Sequence, residues 1–126
     1  MDAIQCFDGD GVAPPHGLEH VLSVIAVRCE HVLTSSESRT VIETHEDLAA
    51  DPKRRLILRL AYATIEKQLD NIRGYERSPT ARINHDVFEL LEKSFWAISE
   101  MHPRVDLRPY AKACAHQCAA ARVQIL

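Results

Sequence analysis

Apolar residues recur in this chain at intervals of three and four positions, and this spacing restricts the fold more than any other feature. The most regular run is Leu58, Tyr62, Ile65, Leu69 and Ile72. Such spacing places apolar side chains on one face of an α-helix, whereas a half-buried strand alternates apolar and polar residues. The sequence has no alternating segment flanked by hairpin turns, and it has no repeat of fixed period. We therefore predict an all-α protein.

Residues that begin and end helices divide the first part of the chain. A long helix follows Pro15, and the serine-rich segment 34–38 ends it because serine and threonine hydrogen-bond locally to the backbone. Thr40 and Glu43 have the spacing of a capping box, in which each side chain satisfies a free backbone N–H. This pair predicts a short helix over residues 41–49.

Similar signals predict three more long helices. Asp51 precedes Pro52, which is a cap residue followed by a proline suited to the first helical turn, and Gly74 predicts the end of that helix. A serine and a proline begin the next helix, over residues 79–101, and the last helix covers residues 107–126. Together these segments predict a bundle-like arrangement of four long helices plus one short helix.

Composition indicates one folded domain. The chain has 126 residues, of which 46% are hydrophobic and 26% are charged, close to the average for folded proteins. We expect residues 1–13, rich in Gly and Asp, to form a flexible N-terminal arm, and residues 14–126 to form a single helical domain. No signal peptide or membrane-spanning apolar run is visible, so we expect a cytoplasmic protein without a membrane partner. The formal net charge of −3 disfavours direct binding to nucleic acid.

Two segments carry more apolar surface than a small bundle needs. Residues 18–33 are apolar over more than half of the helix circumference, and residues 110–126 offer small and apolar side chains. A helix that is apolar nearly all round is buried on nearly all sides, which a twofold dimer or a partner protein would provide. A well-filled monomeric core is the alternative. The predicted partner or dimer interface comprises Leu18, Val21, Val24, Ile25, Val27, Val32, Cys114, Cys118 and Ile125.

One dense basic run stands at the start of a predicted helix. It consists of Lys53, Arg54, Arg55 and Arg59, and positive charge there opposes the helix dipole. One interpretation is a contact with an acidic partner. The other is a solvated helix flank that pairs with nearby carboxylates such as Glu46, Asp47 or Asp51.

Metal and catalytic motifs were considered and none is strong. His16 and His20 are four residues apart and could share a metal ion, but they lie at the start of a helix. Cys114 and Cys118 share a helix face that His116 does not, and free cysteine packs as a small hydrophobe. No Glu-x-x-His motif of a di-iron bundle occurs. We therefore expect free buried thiols, no cofactor and no enzymatic activity.

The start of the first helix carries one family resemblance. Pro14-Pro15-His16-Gly17-Leu18-Glu19-His20-Val21-Leu22, leading to Cys29-Glu30-His31-Val32-Leu33, is similar to the opening of small bacterial helical antiactivators. Those proteins bind LuxR-type quorum-sensing transcription factors and block their binding to DNA. The resemblance implies a regulatory protein whose partner is a transcription factor. It agrees with the homodimer predicted from the apolar surface, and it assigns no functional residue.

The function that we expect from the sequence is therefore non-enzymatic protein binding. The chain would cover the interface of a partner protein through apolar helix faces. The alternative is a helical bundle that binds a metal or a small ligand, with enzymatic activity as one version of it.

Overall fold

The computed structural model describes the backbone of residues 15–35, 38–78 and 86–124, and side chains between residues 19 and 123 within those ranges. In this part of the chain there are six helices and no strand, which confirms the predicted all-α class. In chain order they are α1 (Pro15–Thr34), α2 (Ser38–Thr44), α3 (Glu46–Ala49), α4 (Pro52–Arg77), α5 (Asp86–Met101) and α6 (Leu107–Gln124).

The four long helices close into a ring. α1 packs against α4, α4 against α5, α5 against α6, and α6 returns to α1. The short helices α2 and α3 lie against α4, and α2 also contacts α1. This is the bundle-like arrangement that the spacing predicts. Its largest fully buried side chains are Tyr62, Phe88, Phe95, Leu22, Ile25, Ile42, Leu48, Leu58, Ile65, Ile72, Leu91 and Ile98.

The start of α4 has the predicted cap. The Asp51 side chain accepts a hydrogen bond from the backbone N–H of Arg54 at 3.1 Å, and Pro52 occupies the first helical turn. A carboxylate at this end also complements the positive pole of the helix dipole. The cap fixes the first residue of α4 and hence the direction in which each of its side chains points.

The segment between α1 and α4 differs from the prediction. In place of one helix over residues 41–49, α2 and α3 are separated at His45, which has an extended backbone and caps α3 by accepting from the N–H of Asp47. The capping box is also absent, because Thr40 lies inside α2 and the Glu43 carboxylate binds Arg59 of α4 instead. A tertiary ion pair has replaced the local cap.

The predicted end of α4 at Gly74 is wrong. The helix continues to Arg77, and the N–H of Ser78 closes it by donating to the carbonyl of Gly74 at 3.1 Å. Tyr75 packs against the core, so burial beyond the glycine sustains the last turn. The predicted first turns of the next helix, 79–85, and the predicted arm, 1–13, lie outside the described residues.

His102 joins the ends of several helices through buried hydrogen bonds. Its Nδ1 accepts the backbone N–H of Arg104 at 3.1 Å, so the ring proton lies on Nε2, which donates to the carbonyl of Ser38 at 2.9 Å. The Tyr62 hydroxyl lies 3.2 Å from the same Nε2. The imidazole is completely buried. Its hydrogen bonds link the end of α5 to the start of α2 and to α4.

Serine and arginine side chains complete this junction. The Ser38 hydroxyl donates to the carbonyl of Val32 in the last turns of α1, at 2.9 Å. The Arg108 guanidinium donates to the carbonyl of His102 at 2.6 Å. Because Pro103 has no N–H to continue α5, these contacts hold the chain where it turns into α6.

The His102 junction predicts a loss of stability in acid. Burial, and then the positive charges of Arg104 and Arg108, lower the pKa of His102 below its ordinary value of 6.5. The unfolded chain binds this proton more readily, so we expect the free energy of unfolding to decrease as pH falls below about 6.5 and to level off below the folded pKa. Urea titrations across this pH range measure the effect.

The matched variants for this experiment are His102→Gln and His20→Gln. His102→Gln should cost about 2 kcal/mol at neutral pH and flatten the pH profile, because the buried network is broken. His20 is exposed, so His20→Gln should change the free energy of unfolding at neutral pH by less than about 0.5 kcal/mol. An unchanged profile in His102→Gln would contradict a neutral, buried imidazole.

Two valines of α1 provide a second test of the fold. Val32 is fully buried and Val27 is 61% exposed. We expect Val32→Arg to cost about 4 kcal/mol or more, because it buries a charge without a partner. Val27→Arg should retain wild-type helical circular dichroism and urea midpoint, and light scattering of this variant beside wild type shows whether Val27 contributes to a dimer. Loss of helicity in Val27→Arg would contradict this placement of α1.

Candidate protein-binding surface

The outer face of α4 carries apolar side chains that no part of the described chain covers. Leu56 is 53% exposed and Leu60 is 58% exposed, although both belong to the same helix as the buried Leu58 and Tyr62. The two exposed leucines are four residues apart and therefore lie one above the other on the solvent side. Ala63 extends the same exposed row.

This row has the spacing of a helix-pairing seam. Lys53, Leu56, Leu60, Ala63 and Lys67 follow one another at intervals of three, four, three and four residues, and all five are exposed. Alternating steps of three and four are the a and d positions of a heptad, through which a second helix packs. We call these five residues the α4 seam. It has an apolar centre and a lysine at each end.

Two residues of the predicted basic run form hydrogen bonds with other helices of the protein. Arg54 donates through Nε to the carbonyl of Met101 at 2.7 Å, and its Nη2 donates to the same oxygen. Arg59 donates through Nε to the Glu43 carboxylate at 2.7 Å, in a bidentate pair. This hydrogen bond lowers the pKa of Glu43 and raises that of Arg59.

The other basic residues of this region form no direct ion pair within the described residues, although Arg55 lies close enough to help Arg59 lower the pKa of Glu43. Lys53, Arg55 and Lys67 make no ion pair with any described residue. Of the two interpretations of the basic run, an ion pair with a nearby carboxylate is found only for Arg59. Its partner is Glu43, and not Glu46, Asp47 or Asp51 as expected from the sequence. The first half of α4 is thus a locally cationic surface on a chain of net charge −3.

Unlike the α4 seam, the predicted interface on α1 and α6 is largely buried within the single chain. Four of its residues, Ile25, Val32, Cys114 and Cys118, are buried in the core of the single chain. The others have these positions: Val21 and Val24 are half-buried, Val27 is exposed, and the side chains of Leu18 and Ile125 lie outside the described residues. Most of the apolar face of α1 thus packs against α4 and α6.

The cysteines of α1 and α6 are buried together. Cys29, Cys114 and Cys118 are all free thiols. Burial, followed by the neighbouring Cys114, raises the pKa of Cys29 to about 12, and burial also raises the pKa values of Cys114 and Cys118. They are neutral near pH 7 and pack as small apolar groups.

The described side chains bring together no set of three metal-ligating residues. Among these side chains, no three histidine, cysteine, aspartate or glutamate residues form a cluster that could hold a metal ion. The side chain of His16, the partner of His20 in the predicted pair, lies outside the described side chains, and His20 itself is exposed. His116 packs edge-on against Trp96, with ring centroids 5.2 Å apart.

Sequence analysis missed the α4 seam because the buried run on the same helix dominates the pattern. The missed signal was a second set of three and four spacings, which begins at Lys53 and passes through Leu56 and Leu60. Two apolar rows on one helix predict either burial on both sides or one uncovered face. No residue in the described part of the chain covers the second row.

Comparisons with protein-family models, with curated proteins and with solved structures found no match to this chain. Within the described ranges, no helix has both the length and the apolar character to cross a membrane.

The different positions of Arg54 and Lys53 predict different effects on stability. Arg54→Met removes the donors to the Met101 carbonyl at the end of α5, so we expect a loss of about 1–2 kcal/mol in the free energy of unfolding. Lys53→Met should change it by less than about 0.5 kcal/mol, because Lys53 is exposed. Urea unfolding of both variants measures the difference. Equal effects would show that the Arg54 bond does not stabilise the junction of α4 and α5.

Proposed function

We propose that this protein is a non-enzymatic regulatory module that binds an acidic, amphipathic helix of another protein along the α4 seam. The observation that supports this proposal most strongly is the exposed pair Leu56 and Leu60 between the unpaired lysines Lys53 and Lys67. An added helix would cover the leucines and place carboxylates opposite the lysines.

The apolar centre of the seam supplies binding energy. Each leucine still exposes more than half of its surface, and covering that remainder is worth about 1 kcal/mol per side chain. Amphipathic helices bind other proteins through anchors at this spacing. Two central anchors with a polar rim also resemble the usual layout of a protein interface, where few residues carry most of the energy.

The charges of the seam favour a different protein over a second copy. In an antiparallel pair of seams the Lys53 end of one copy would lie beside the Lys67 end of the other, and in a parallel pair each lysine would face its own equivalent. Like charges in these positions are unfavourable, whereas acidic residues of a partner would pair with both lysines. Arg55 adds a third cation close to one end of the seam.

The resemblance of the start of α1 to helical antiactivators supplies the class of partner. We propose a LuxR-type transcription factor whose access to DNA is blocked when its acidic helix lies on the α4 seam. Homodimerisation stays a separate prediction, and Val27 is the exposed residue of α1 through which it would act. A dimer through α1 leaves the seam of each copy free, because the seam lies on the outer face of α4.

A direct experiment uses the LuxR-type regulators encoded in the genome that contains this chain. Each purified regulator is bound to its operator DNA, and the full-length protein is titrated into the complex in a gel-shift assay. Wild type should release at least one regulator from DNA. The double variant Leu56→Asp with Leu60→Asp should require at least ~100-fold more protein, because it removes both anchors and repels an acidic helix.

The matched control is the double variant Val105→Asp with Val123→Asp. These valines are 71% and 68% exposed and lie off the α4 seam, so this variant should act as wild type. Equal activity of both double variants would refute the seam as the binding surface. Failure of wild type to release any of the regulators would refute the proposed class of partner.

A further inference from the structure

A groove between α1 and α6 forms a second surface, separate from the α4 seam. It has a volume of about 380 Å³, which is within the range of small-molecule sites. Its walls are formed by His20, Ser23, Val24, Val27, Arg28 and Tyr110. The groove thus combines two aliphatic side chains with a cation, an imidazole and two hydroxyl groups.

Arg28 is held in this groove by contacts that do not neutralise its charge. Its guanidinium carbon lies 5.5 Å from the centre of the Tyr110 ring, and Nη1 lies 3.9 Å from the sulfur of Cys114. The His31 ring packs on Tyr110 as well, with centroids 4.7 Å apart. These neighbours position the guanidinium, as a ligand-binding group requires.

The positive charge of Arg28 lacks a counterion among the described residues. No carboxylate pairs with it, and its Nε is buried without a hydrogen-bond partner. The adjacent acids are engaged elsewhere, since Glu30 pairs with Arg73 at 2.6 Å. The thiols of Cys29 and Cys114 are neutral near pH 7, because burial raises their pKa values. A half-buried guanidinium without a counterion is unfavourable, and a bound anion would remove this cost.

Aliphatic side chains lie beside this cation. Val27 is 61% exposed and Val24 is half-buried, and both border the groove. An anion that fits must therefore carry an apolar chain, since an inorganic ion would leave the valines uncovered. A carboxylate matches the planar fork of arginine, and its single negative charge balances the single positive charge of Arg28.

We propose that the groove between α1 and α6 binds a free aliphatic carboxylate. Arg28 binds the carboxylate, and Val24 and Val27 pack against the chain. His20 and Ser23 line the groove with further polar groups. Such a ligand would give the Arg28 guanidinium a counterion and cover the apolar surface of Val27.

Octanoate is the probe for this proposal, and octanol is its uncharged counterpart. Octanoate is titrated into the isotope-labelled full-length protein below its micelle-forming concentration, and octanol below its solubility limit. The shifts of backbone and methyl resonances are recorded. Octanoate should shift the resonances of Val24, Val27 and Tyr110 in a saturable manner. Octanol should bind at least ~10-fold more weakly, because it cannot form the charged hydrogen bonds with Arg28.

Two variants of the groove test the role of the charge. Arg28→Gln should weaken octanoate binding at least ~10-fold while leaving octanol unchanged. Val27→Glu places a carboxylate beside Arg28 and should block octanoate binding. Because Val27 is exposed, this variant should fold even if Arg28→Gln does not. Arg77→Gln, at the exposed end of α4, and the variant Leu56→Asp with Leu60→Asp should bind as wild type.

The outcomes separate this site from the proposed function. Saturable octanoate binding that depends on Arg28 supports the carboxylate site, whatever the gel-shift assay shows. Equal affinity for octanol and octanoate, or undiminished octanoate binding in Val27→Glu, would overturn it. Absence of any saturable shift at Val24, Val27 and Tyr110 in wild type would overturn it as well.

Discussion

A neutral imidazole buried at the junction of helix ends is the interaction on which the rest of the fold depends. His102 accepts the N–H of Arg104 and donates to the carbonyl of Ser38, and so joins the end of α5 to the start of α2. Each of these groups would be an unsatisfied buried group without the others. The junction therefore fixes where α2 lies on α4.

The position of α2 determines which charges of α4 stay free. With α2 held against α4, Glu43 reaches Arg59, and the end of α5 presents its last carbonyl to Arg54. Two of the four basic residues in the run are thereby used to hold helices together. Lys53 forms no ion pair with a described residue and shares a helix face with the exposed leucines, so the packing of the bundle produces a surface that is both cationic and apolar.

Much of the fold could be predicted from the sequence, because its signals are local. The spacing of Leu58, Tyr62 and Ile65 and the cap at Asp51 depend on residues within a few turns, and the structure agrees with both. The errors concern distant partners: Glu43 binds a residue of another helix instead of capping its own. The local pattern also could not predict which residues of α1 are buried. Val27 and Val32 are the same residue type on one helix, and only the positions of α4 and α6 determine that Val32 is buried and Val27 is exposed.

Two surfaces of different chemistry follow from the structure, the α4 seam and the groove at Arg28. A helix with carboxylates suits the first, and a small anion with an aliphatic chain suits the second. Their separation means that a ligand in the groove and a partner on the seam would bind without competing for the same residues. The shortest connection between them is α1, which lines most of the groove and packs directly against α4.

The most direct measurement for the central claim, that α4 binds an acidic helix of another protein, is photocross-linking from single positions in living cells. A photoreactive amino acid is placed at Leu60 and, in a separate strain, at Val105, and the cross-linked peptides are sequenced. The account predicts that Leu60 cross-links to one helical, acidic peptide of a different protein, and that Val105 does not. Cross-links from Leu60 only to a second copy of this chain, or the same peptide from both positions, would contradict it.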